Sequence, residues 1–168
     1  MAAQDALYDT LRSTAERWVL ATLPKTPGTN EVDYDRILSL LTPDAEISWG
    51  HSLFVSQTPP LRGTKTPDGF LEHMRSMAPR LGTWQIAIAD ICVDTTKRSA
   101  VVRADFDMQA EVDGEVLRNE ILFWVKLDES GTKVKASTEF VDPIASGKLR
   151  ELMMAKAAKA GGGAGKVG

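Results

Sequence analysis

Cysteine and histidine are scarce in this chain of 168 residues, with one Cys and two His. A single cysteine, Cys92, rules out an internal disulfide framework. Its place in an apolar run reads as a small core residue rather than a reactive thiol. So few soft ligands leave little from which to build a zinc site. No G-x-G-x-x-G follows a predicted strand, no P-loop or H-E-x-x-H occurs, and no serine sits in a nucleophile elbow. The chemistry left is proton transfer by positioned side chains, with no metal and no cofactor. No run approaches the ~20 apolar residues of a membrane helix. With a net charge of −3 and scattered lysines and arginines, the chain has no electrostatic footprint for nucleic acid. The first residues lack the basic and apolar regions of a signal peptide. The expectation is a soluble, cytoplasmic protein.

What is present is a long run of strand signals behind a helical start. Residues 83–94, 99–112, 115–127 and 132–141 are four apolar-rich runs separated by short turns, which predicts a continuous antiparallel meander. Asp113-Gly114 between two alternating runs predicts a two-residue type I′ hairpin, whose central positions both need positive φ. Ahead of it, Leu7, Leu11, Ala15, Trp18 and Ala21 recur at helical spacing and predict a first helix over 5–23. A second helix is expected over 33–41, with Tyr34, Ile37, Leu38 and Leu41 inward, and a brief strand over 45–49. A polar loop should follow, with Pro59, Pro60 and Gly63 in it. Thr66-Pro67-Asp68 then opens a third helix, since threonine caps and proline is tolerated at the first helical position. Phe70, Met74, Met77 and Leu81 form its buried stripe. A terminal helix is expected over 144–154. Residues 155–168, with Gly161-Gly162-Gly163 inside, read as a low-complexity disordered tail. One domain over 1–154 results: an α+β cone whose curved antiparallel sheet wraps three N-terminal helices, plus a C-terminal helix.

Asp44-Ala45-Glu46-Ile47-Ser48-Trp49 and the meander carry a resemblance. So do Asn119-Glu120-Ile121-Leu122-Phe123-Trp124 and the stretch from Lys133 to Asp142. Over roughly residues 5–150 the chain resembles the NTF2-like superfamily, and within it the SnoaL-like enzymes of fungal polyketide and meroterpenoid pathways. The resemblance implies an apolar cavity and an isomerase, cyclase or dehydratase acting on a polyketide- or terpenoid-like molecule. A non-catalytic carrier or dimeric interaction module with the same cone is the competing reading. Homodimerisation through the broad sheet is expected either way.

His51, Glu120 and Glu139 are the candidate catalytic residues. His51 follows the first strand, where an imidazole at a cavity mouth can move a proton near neutral pH; the plain alternative is a surface-loop histidine. Glu120 and Glu139 lie in otherwise apolar strands. A carboxylate there must be paired, hydrogen-bonded or protonated, and burial suits it to acid–base work. Alternation puts Asn119, Ile121, Phe123 and Val125 in the apolar row and Glu120, Leu122 and Trp124 in the mixed row. In the next strand Thr138, Phe140 and Asp142 lie opposite Ser137 and Glu139. Periodicity alone cannot choose Glu120 with Glu139 over Asn119 with Asp142, because a bulge switches parity; the resemblance favours the first pair. Asp142 before Pro143 is equally suited to capping the last helix. Trp49, His73, Asp105, Asn119 and Trp124 are candidate substrate contacts. Asp105 and Asp107 alternate beside Arg103, a pattern that more often marks a solvent-facing row.

Overall fold

The computed structural model describes residues 2–162. Its elements run α1 (Ala2–Leu20), α2 (Tyr34–Ser39), β1 (Leu41–Trp49), α3 (Ser52–Gln57), α4 (Pro67–Met77), β2 (Thr83–Asp94), β3 (Ser99–Gln109), β4 (Leu117–Leu127), β5 (Val134–Phe140) and α5 (Pro143–Gly162). In the sheet the order is β1-β5-β4-β3-β2. The meander strands are antiparallel neighbours, whereas β1 runs parallel to β5 at the edge.

Helices α1, α4 and α5 lie against the sheet, and α1 and α4 do so through stripes of buried apolar residues. On α1, Leu11, Ala15, Trp18 and Val19 are buried, and the helix lies against β2 and β3. The Trp18 indole N–H donates to Ser137 Oγ at 3.0 Å, which pins α1 over β5 without leaving either polar group unpaired. Asp33 caps α2 by accepting from the Arg36 amide at 3.0 Å. The Arg36 guanidinium in turn donates to the carbonyls of Ala21 and Leu23, groups left without helical partners past the end of α1. Thr66 caps α4 as its sequence predicts, accepting from the Gly69 amide, and Phe70, Leu71 and Met74 are buried behind it. The Trp84 indole donates to the Thr22 carbonyl at 3.0 Å, so β2 is tied to the same corner.

Several expectations change. Four α-helices, not three, precede the meander among the described residues, because Ser52–Gln57 is helical. That helix buries none of its own residues, and six residues are too short for a periodic signal. The Asp113-Gly114 hairpin does not form: neither residue has positive φ. Strand β3 ends at Gln109, whose side-chain amide donates to the carbonyls of Val112 and Gly114 and shapes a wider loop. Leu38 is exposed. Cys92 is exposed as well, opposite Val101 on the outer sheet face. A register shift between Ile88 and Asp90 resets the alternation of β2 ahead of it.

Helix α5 runs past residue 154 to Gly162. Alanine and lysine are strong helix formers, and the Lys156 ammonium donates to the Ala110 carbonyl at 2.9 Å. Residues 163–168, the remainder of the expected tail, lie outside the described residues. Among the described residues no helix is long and apolar enough to cross a membrane.

Candidate active site

Strand β4 alternates strictly. Leu117, Asn119, Ile121, Phe123, Val125 and Leu127 are buried, and the residues between them are exposed. Strand β5 does not alternate, because its pairing with β4 jumps from Lys126–Ala136 to Leu127–Val134. Lys135 is the extra residue, a bulge that turns Ser137 and Glu139 inward along with Val134. Glu139 then pairs with Phe123 on one side and with Trp49 on the other. Glu139, Phe123 and Trp49 face α4 and α5 across a cavity of about 290 Å³, which is walled mainly by apolar side chains.

Inside it stand Trp49, His73, Asn119 and Glu139. The Trp49 indole N–H donates to Glu139 Oε2 at 3.1 Å. The same indole ring lies 4.8 Å from the His73 imidazole, centre to centre and tilted by 54°. Trp49 therefore touches both Glu139 and His73. Burial pushes the Glu139 carboxyl up to about 7, against the indole hydrogen bond, which favours the charged form. Glu139 is half-buried as a residue, and its second carboxyl oxygen, Oε1, makes no hydrogen bond among the described residues. Burial lowers the His73 pKa and the Lys65 ammonium lowers it further, so this imidazole is neutral at pH 7. A half-ionised carboxyl and a neutral imidazole in one apolar cavity can take and return a proton near neutral pH.

Asn119 is more committed. Its Oδ1 accepts from the Asp142 amide at 3.0 Å and its Nδ2 donates to Ser146 Oγ at 2.9 Å. The side chain thereby locks the start of α5 to the sheet, with one amide hydrogen left over. Asp142 caps that helix, accepting from the amides of Ile144 and Ala145. The inward pair is thus Asn119 with Glu139, one residue from each set left open by periodicity.

Four sequence candidates lie elsewhere. His51 is exposed and is not among the cavity walls. It adopts a left-handed φ of 58°, which throws its ring outside, edge-on to Phe140 at 5.4 Å. Gly50 before it cannot be larger, since a Cβ there would come within 2.1–2.2 Å of the Phe140 ring. Glu120 is exposed on the outer face opposite Asp105, as strict alternation in β4 dictates. Asp105 sits 3.7 Å from Arg118, on that same outer face. Arg118 also holds Asp107 through two 2.8 Å hydrogen bonds, which keep the Asp107 carboxyl below its ordinary range. Trp124 is 53% exposed, beside Val101.

Other cavity residues went unforeseen. Phe54 enters from α3, Arg80 from the turn after α4, and Ser146, Arg150 and Met153 from α5. The spacing of four and three along α5 is a one-face signal, but nothing in the sequence says that this face meets a cavity. Among the described residues no three His, Cys, Asp or Glu side chains cluster closely enough to hold a metal ion.

No family model matches the sequence, and no curated protein matches it either. Solved structures do. BvnE pinacolase from Penicillium brevicompactum shares 18% identity at a TM-score of 0.73, over 90% of this chain and 99% of that one. TerC, co-crystallised with polyporic acid, shares 18% at 0.61, over 86% and 98%. An NTF2-like protein of unknown function from Burkholderia pseudomallei shares 15% at 0.61, over 85% and 95%. At these identities the likeness is one of architecture: the chain has the NTF2-like fold.

Proposed function

We propose that the chain is a cofactor-independent acid–base enzyme acting on a polyketide- or terpenoid-like small molecule held in the cavity. One observation carries this reading: a carboxyl group buried in an apolar cavity, with its pKa brought to about 7 and its oxygen fixed by the Trp49 indole. A purely structural role would not call for such a group, because a buried carboxyl without a cation beside it costs folding energy.

Ionised Glu139 takes a proton from a carbon next to a carbonyl. The C–H electron pair moves to the carbonyl oxygen as an enolate, which the neutral His73 imidazole can stabilise by a hydrogen bond from its N–H. Protonated Glu139 then returns the proton at another carbon. Alternatively the enolate carbon attacks a second carbonyl carbon of the substrate, whose C=O π pair becomes an alkoxide that takes the Glu139 proton, or a β-hydroxyl group leaves with that proton as water. The outcomes are isomerisation, cyclisation and dehydration, each needing nothing but the side chains present. The pinacolase BvnE and the polyporic-acid-bound TerC, both with this fold, support a small organic substrate.

Val101, Leu122 and Trp124 are exposed on the outer sheet face. They support pairing of two copies through that face, away from the cavity.

Deuterium exchange tests the reading without knowledge of the final product. Cyclic ketones and lactones that bind the protein are incubated with it in D₂O and followed by NMR. Wild type should exchange the hydrogens next to the carbonyl, and Glu139→Gln should not. Bound ligands that neither exchange nor change would overturn the enzyme reading and leave a carrier.

A further inference from the structure

The cavity of about 290 Å³ has two cationic residues in its wall, Arg80 and Arg150. Both are on the cavity-facing stripes of their segments. His73, Met77 and Arg80 follow at steps of four and three from α4 into its closing turn, and Ser146, Arg150 and Met153 do the same along α5. Among the described residues neither guanidinium enters an ion pair. Arg36, Arg118 and Arg62 are committed, to the carbonyls of Ala21 and Leu23, to Asp107 and to the Ser56 carbonyl respectively. What sets Arg80 and Arg150 apart from the other arginines is their place in the cavity wall. Both Arg80 and Arg150 are exposed, whereas Glu139 is half-buried, with its Oε2 held by the Trp49 indole. The cavity is therefore apolar and acidic within and cationic where it meets solvent.

We infer that its ligand is an amphipathic anion: an apolar ring body carrying a carboxylate or a comparably acidic enol, whose anionic oxygens are taken by Arg80 and Arg150. The guanidinium fork matches a pair of anionic oxygens, and such charge-assisted hydrogen bonds are about twice as strong as neutral ones. An anion held at the cationic rim points the apolar body inward, towards Glu139 and Trp49. Substrate orientation then follows from the charge pattern. This inference rests on the cavity being the ligand site and names the class of ligand it takes.

Two probes of one shape test it. 1-Anilinonaphthalene-8-sulfonate and N-phenyl-1-naphthylamine differ only in the sulfonate. Each is titrated into ¹⁵N-tryptophan-labelled protein and followed by the indole N–H signals. Cavity binding moves Trp49 and Trp84, which line it, and not Trp124 on the outer face. The sulfonate should bind about tenfold tighter than the neutral probe, and Arg80→Met and Arg150→Met should each weaken it severalfold. The neutral probe should hold its affinity in both variants, and 0.5 M salt should weaken only the anion. Equal affinity for the two probes in wild type would overturn the inference. So would a loss in the arginine variants shared by both probes, or binding that moves only Trp124. Glu139→Gln separates the two readings. A protein that selects the anion yet catalyses no exchange loses its enzyme assignment and keeps its ligand class. One that exchanges ketone hydrogens but ignores the sulfonate does the reverse.

Discussion

The two faces of one sheet hold the same kind of group in opposite states. Glu139, turned inward, has its carboxyl pushed up to about 7 by burial, with only an indole N–H to support the charge. Asp107, turned outward one strand beyond β4, is drawn down by the Arg118 guanidinium. Asn119 and Glu120 make the same contrast between neighbours, one buried and bonded to α5, the other in water. A carboxylate is made useful for proton transfer by its medium rather than by its identity. A strand that alternates places the two media within one residue of each other.

The contrast breaks most visibly in activity. Glu139→Gln keeps the shape and the indole acceptor but removes the base, so turnover on any exchanging ligand should fall about 10²–10⁴-fold. Wild-type kcat/KM should rise with pH through about 7, as Glu139 ionises, and level off above it.

Stability gives the next effect. A carboxyl whose pKa is raised on folding stabilises the fold fully below its unfolded value and loses that contribution as pH rises through its folded value. Carrying Glu139 from 4.5 to about 7 should therefore cost wild type about 3 kcal/mol between pH 4 and pH 8. Urea denaturation across that range should show the fall, and Glu139→Gln should flatten this component. A wild-type curve with no steeper fall than the variant would mean that the carboxyl is solvated.

Trp49→Phe sharpens the comparison. The indole hydrogen bond favours ionised Glu139, so its loss should move the rising limb of the pH–rate profile to higher pH. An unmoved limb would leave Trp49 with packing alone.

On the outer face, the proposed pairing of two copies predicts that wild type sediments as a dimer and Trp124→Glu as a monomer, with the cavity tryptophan signals in place. A monomeric wild type would overturn the pairing. Smallest of all, His51→Ala and Glu120→Gln should leave kcat/KM within about twofold, because neither side chain enters the cavity.

Much of the fold was legible. The start and end of β2, the inward row of β4, the cap of α4 by Thr66 and the capping role of Asp142 follow from periodicity and local hydrogen-bonding chemistry. Of the proposed site, Trp49, His73, Asn119 and Glu139 were candidates that meet in one cavity. His51, Glu120, Asp105 and Trp124 were candidates that do not. For His51 the deciding fact is one backbone angle, and for the other three it is strand parity. Only for Glu120 did the resemblance weigh against alternation, since the Asp105 row already read as solvent-facing.

The sequence by itself determined the element types, the amphipathic stripes and the scarcity of metal ligands, because these depend on neighbours three or four residues apart at most. Only the tertiary structure decided which carboxylate is buried. That choice turns on the extra residue Lys135 in β5, and pairing with β4 and β1 is what makes it extra. Tertiary packing also brought Arg80 and Arg150 to one cavity wall, from helices separated by the whole meander. A pKa, like a cavity, belongs to what surrounds a residue in space, and the order of residues along a strand does not contain it.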